Sequence, residues 1–143
     1  MKKLVYLFIL SLAITSCSSD GETTQETQKK SLDLAQKWDW VTTSGGIAGI
    51  TITPLTTGKN YTLIFKENNS YSLLENGIEI ANGMYSLTMK ESIYNHEMES
   101  FITFQNSKFP VGNGIINTDE GKITMIISDN VFDGFSSSFK RIE

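Results

Sequence analysis

Cysteine is almost missing from this chain: Cys17 is the only one in 143 residues. No internal disulfide can form, so the fold must stand on packing and hydrogen bonds. Histidine is as scarce. His96 stands alone in "IYNHEMES" beside Glu97 and Glu99. A zinc centre needs further strong ligands, and neighbours along one loop rarely converge on an ion, so a solvated loop histidine is the plainer account. Basic clusters are missing too. The 12 Lys+Arg are scattered among 16 Asp+Glu, and the isoelectric point is near 5.0, which excludes the cationic stripe that nucleic acid requires. The longest apolar run, Leu4 to Ile14, is shorter than the ~20 residues of a permanent membrane span. After residue 40 no long stretch carries a helical period.

What is present at the N-terminus is an address. Lys2 and Lys3 precede "LVYLFILSLAI", the charged end and apolar core of a secretory signal over residues 1–16. "ITSC" (Ile14 to Cys17) resembles a bacterial lipobox: an aliphatic residue, two small residues, then the cysteine that receives the lipid. The resemblance implies cleavage before Cys17 and acylation of its thiol and new amine. One chain binds membranes marginally, whereas two or more anchor stably. Ser18 stands where an aspartate would resemble an inner-membrane retention signal, so an outer-membrane address is expected. "SSDGETTQETQKKSLDLAQ" then reads as a flexible tether, giving residues 17–36 as lipidated cysteine plus tether. "SLDLAQKW" fits one helical turn with Ser31 as N-cap.

From Trp38 onward the period is two. In "NYTLIFKE", Tyr61, Leu63 and Phe65 share a face; Tyr71 and Leu73 repeat the pattern in "SYSLLE". Asn76–Gly77 is a two-residue hairpin signal, and Ile78–Ile80 returns to a second one at Asn82–Gly83. Tyr85, Leu87 and Met89 follow, then the polar loop "KESIYNHEME". Ile102 and Phe104 share one face of the next strand, Phe101 and Thr103 the other. "NSKFPVGNG" is irregular, and Pro110 argues against a central strand there. "GIIN", "KITMIIS" and "FSSSFKRIE" complete the series. Eight or nine short strands joined by short connections must hide one apolar face, and closure removes both edges. The expectation is an all-β fold over residues 37–143, an eight- to nine-stranded antiparallel up-and-down barrel. A flattened two-sheet sandwich satisfies the same alternation.

"KWDWVTTSGGIAG", "LIFKENNSY", "NGMYSL" and "DGFSSSFKRI" together are similar to the small lipocalin-like lipoproteins of bacteria. The likeness covers roughly residues 37–142. It implies a tryptophan of the first strand, Trp38 or Trp40, packed beneath a cation of the last strand, Arg141, closing one barrel end. Alternation also puts Arg141 on the face of Phe135 and Phe139, where stacking on an indole would contribute about 0.5–2 kcal/mol. The alternative is a charge left in water two residues from the terminus.

Catalytic chemistry finds little to work with, and the chain reads as a non-enzyme. Asp129 and Asp133 in "SDNVFDG" lack the further spaced oxygen donors of a calcium loop. The glycines of "SGGIAG" lack a following helix to cradle phosphate. No metal and no cofactor is expected. The lipocalin resemblance implies a carrier of a small apolar ligand, with Tyr71, Tyr85 and Phe104 lining the cavity. Its entrance would lie opposite the end of Trp38 and Arg141, rimmed by Asn68–Ser70 or loop 90–97. The other reading is an interaction module of the envelope with a filled barrel, its contact surfaces being loops 90–97 and 106–114.

Overall fold

The computed structural model describes residues 33–143 apart from Glu120. The signal segment, Cys17 and the tether as far as residue 32 lie outside the described residues. Nine strands follow in chain order: β1 (Lys37–Gly45), β2 (Ile50–Ile52), β3 (Tyr61–Phe65), β4 (Ser70–Glu75), β5 (Ile78–Glu91), β6 (Met98–Phe104), β7 (Gly114–Thr118), β8 (Thr124–Ser128) and β9 (Phe135–Ile142). A four-residue helix, α1 (Pro54–Thr57), joins β2 to β3. Every pairing is antiparallel, and β1 pairs with β9 from Lys37↔Ile142 to Gly45↔Phe135. Eight strands thus close into a barrel, and β2 is an extra strand on the upper part of β1. Closure settles the choice between barrel and sandwich.

Alternation builds the interior. Tyr61, Leu63 and Phe65 of β3, Tyr71 and Leu73 of β4, Ile102 and Phe104 of β6, Met125 and Ile127 of β8 and Phe139 of β9 are all buried in one cluster. Asn76 and Gly77 take positive φ (51° and 83°) in the β4–β5 turn, as a two-residue hairpin requires.

The second Asn–Gly pair behaves differently from its sequence signal. Asn82–Gly83 lies within the continuous fourteen-residue β5, which pairs first with β4 (Ser70↔Met84 to Glu75↔Ile78) and then with β6 (Tyr85↔Phe104 to Glu91↔Met98). Glycine eases the packing there: a Cβ on Gly83 would come within 3.3 Å of the side chains of both Asn106 and Gln105. The Asn106 amide donates to the Asn82 carbonyl at 3.0 Å, fixing that crossing.

Two further departures concern burial. No helical turn forms over Asp33–Gln36, and Leu34, expected in the tether, is 2% exposed in the core. The packed domain therefore begins at least three residues before Lys37. Phe101 and Ile115 are buried, yet they stand apart from the interior cluster. The tip of the β5–β6 hairpin docks on the β8–β9 connection instead of standing free. There Ile93 N–H donates to the Asn130 side-chain oxygen (3.0 Å), the Asn130 amide donates to the Glu91 carbonyl (2.9 Å), and the Tyr94 hydroxyl donates to the Val131 carbonyl (2.7 Å).

Candidate functional site at the barrel mouth

The register fixes two ends. Trp38 faces Leu63 on β3 and Arg141 on β9, so the β3–β4 turn, the β7–β8 turn and the start of the described chain meet at one end. Trp38 is wholly buried there, and its indole N–H donates to the Leu34 carbonyl at 3.2 Å. Gln36 accepts from the backbone N–H of Phe65. Arg141 lies directly opposite Trp38 in register, but its side chain is exposed beside Asp119. The cation that lies over a ring, among the described residues, is Lys90, 3.9 Å from the Phe101 centroid. Backbone N–H groups of Thr124 and Ile123 donate to Asp119 and hold its carboxyl below the ordinary value.

Tyr71, Tyr85 and Phe104 do come together, against one another. Phe104 is edge-on to Tyr71 at 4.9 Å and 6.4 Å from Tyr85, while Tyr85 meets Phe65 at 4.8 Å. The Tyr71 hydroxyl donates to the Asn106 carbonyl, and burial pushes its pKa up. The turn Asn68–Ser70 belongs to the Trp38 end, so it cannot rim an entrance at the other one. The register of β3 with β1 leaves no choice, because Ile64 pairs with Lys37 at the base of the barrel.

The opposite end holds a cavity of about 220 Å³, lined by Thr43, Ile52, Phe109, Pro110, Val111, Gly112, Ile127, Asp129, Phe135 and Ser137. The β6–β7 connection forms one wall because its apolar run turns inward. Val111 is buried in the core, and Phe109 is edge-on to Trp40 (5.4 Å) and Tyr61 (5.7 Å). Those two rings meet each other at 5.5 Å. Beneath the cavity runs a buried hydrogen-bond chain. The Trp40 indole N–H donates to Thr43 Oγ1 (2.9 Å), Thr43 and Ser137 share a bond at 2.8 Å, and Ser137 donates to the Pro110 carbonyl (2.7 Å). With Ser137 donating onward, Thr43 must donate to Ser137, so one order of donors satisfies every member.

Charge is held at the edge. Asp129 accepts from the Phe135 backbone N–H at 2.9 Å, closing the β8–β9 turn. The Tyr61 hydroxyl donates to Glu75 (2.9 Å), which also pairs with Lys59 at 3.0 Å. The bond from Lys59 leads in holding the Glu75 carboxyl below its usual range, while burial leads in raising the Tyr61 phenol. His96 reaches Glu91 across the exposed hairpin tip at 3.2 Å. Among the described residues no three His, Cys, Asp or Glu side chains converge as metal ligands.

The mouth can seat an apolar group over a floor whose two hydroxyl hydrogens are already donated. It contains no aligned nucleophile and base. Sequence reasoning missed Thr43, Ile52, Val111 and Ser137, which three separate strands and a loop bring together. One signal was available: "FPV" is an apolar run inside an otherwise polar connection, and such a run buries itself somewhere. Comparison with known protein families, curated proteins and solved structures finds no match to this chain.

Proposed function

We propose that this chain is a cell-envelope lipoprotein, lipidated at Cys17 and held at the outer membrane. Its lipocalin-like barrel would seat a small apolar ligand at the mouth and carry out no chemical step. The cavity over the Thr43–Ser137 pair carries this reading: its walls are largely apolar, and its floor presents polar atoms that are already satisfied. Apolar contact supplies affinity in such a site, and a few placed polar groups supply orientation. At about 220 Å³ the cavity is below the roughly 300–1,000 Å³ of typical ligand sites, so a ligand would be seated in part.

Titration with the neutral fluorophore N-phenyl-1-naphthylamine tests it. Saturable enhancement is expected with the wild-type chain and loss of it in Gly112→Leu. A Cβ at Gly112 meets only Asp129 at 3.7 Å, so the added side chain fills the cavity with little strain. Absence of saturable binding, or unchanged binding in Gly112→Leu, would overturn the carrier reading. The second reading, an interaction module with a filled barrel, draws support from the packed rings of Tyr71, Tyr85 and Phe104. Loss of acyl labelling in Cys17→Ser tests the anchor separately.

A further inference from the structure

Three connections at the mouth end push apolar side chains into water. Ile47, between β1 and β2, is 93% exposed; Leu55, on α1, is 94% exposed; Phe132, between β8 and β9, is 78% exposed. Gly46 donates its N–H to Gly134, which ties the first of these connections to the third. Val131 and Tyr94 add to the same surface, Tyr94 being edge-on to Phe132 at 6.4 Å. From Trp40 to Gly58 the chain carries no Asp, Glu, Lys or Arg, although 20% of all residues are charged. The loop 45–49 and α1 are therefore uncharged as well as apolar at their tips.

We infer that this mouth end docks on a lipid bilayer surface, with Ile47, Leu55 and Phe132 entering the interfacial layer. The three side chains stand on separate tips and form no groove that a peptide could fill. Shallow insertion into a fluid interface needs no matching shape; loop 45–49 and α1 bring no charge that would have to be desolvated, and Asp129 and Asp133, which flank Phe132, stay at headgroup level when only the ring enters. The covalent layout permits it. The domain is entered at the Trp38 end, and the sixteen peptide units from Cys17 to Asp33 extend at most about 55 Å. The eight steps of β1 cover only about 26 Å. An anchored chain is thus long enough for the far end of the barrel to turn onto the membrane that holds Cys17. The inference rests on the lipobox for that geometry, and on the exposed tips alone for the affinity.

Vesicles of phosphatidylcholine, with and without phosphatidylglycerol, provide the test, using the chain from residue 17 onward with Cys17→Ser so that no acyl group contributes. An environment-sensitive fluorophore is attached at Ile47→Cys or, for the Trp38 end, at Asn68→Cys. The expected result is a blue shift with vesicles for the label at 47 and none for the label at 68. It should be unchanged by salt and unimproved by phosphatidylglycerol. The variant Leu55→Ser/Phe132→Ser, labelled at 47, should lose at least tenfold in partitioning while keeping its melting temperature. Absence of a shift at 47, equal shifts at both ends, or unchanged partitioning of the variant would overturn the inference. Acyl labelling at Cys17 in cells is read independently, so a failed anchor and a failed docking surface are distinguishable.

Discussion

The two ends of the barrel are built from different material. At the Trp38 end, Leu34 and Trp38 fill the opening, and the turns outside them are polar: "KENN" after β3, and Asp119 and Lys122 after β7. At the mouth end the opening is filled less completely, by the "FPV" run of the β6–β7 connection, and the turns around it expose Ile47, Leu55 and Phe132. Apolar side chains go inside at the first end and outside at the second. Packing explains the first arrangement and does nothing for the second, because an exposed Leu55 or Ile47 gains no burial. The sealed end is there for stability; the apolar tips, which add none, are the part that the docking inference above explains.

Substitutions should separate the ends sharply. Trp38→Ala removes a fully buried indole and should cost about 3–5 kcal/mol in denaturant unfolding, with Leu34→Ala at about 2–5 kcal/mol. An unaffected Leu34→Ala would return residues 33–36 to the tether. At the mouth, Ser137→Ala strips the donor from the Pro110 carbonyl and a partner from Thr43, and about 1–3 kcal/mol should be lost.

Asp119 gives a smaller, pH-dependent effect at the sealed end. Its folded pKa is depressed, first by the Thr124 N–H, so its contribution is complete above the ordinary value of 3.8 and is lost as pH falls through the folded one. The melting temperature of Asp119→Ala should therefore lie below wild type at pH 7, and the gap should narrow under stronger acid. Smallest of all, Ile47→Ser should change stability by no more than about 0.5 kcal/mol, since the side chain touches almost nothing. A large loss there would mean that the tips are structural and that the contrast between the ends is false.

Much of the fold was readable because β-strands write their faces into alternate residues. Tyr61, Leu63, Phe65 and the Asn76–Gly77 turn lie where that period puts them. Asn82–Gly83 misled because the same dipeptide serves a tight turn and a strand position against which neighbouring side chains press; only Gln105 and Asn106 distinguish the two. Phe101 was read correctly as opposite in face to Ile102, but not as buried, since its cover depends on how the β5–β6 hairpin bends. Alternation also brought Tyr71, Tyr85 and Phe104 to one side of the sheet. It carries no information on whether rings that share a face leave a gap or touch. The mouth was the least legible part, because Thr43 and Ser137 are 94 residues apart and meet only when the barrel shuts.

That shutting has a temporal consequence. The seam between β1 and β9 joins the first of the described strands to the last, and Lys37 pairs with Ile142. A chain emerging from the ribosome or from a translocation channel holds β1 waiting with an open edge until the eight residues of β9, Phe135–Ile142, arrive. Most of the other strand pairings are between neighbours and can form as they appear; this one cannot. A chain shortened by that last strand would keep nearly all of its sequence and present two unpaired edges, one on β1 and one on β8, each a template for joining another copy. Arrival of β9, more than any single core residue, is what turns this string of hairpins into a closed object.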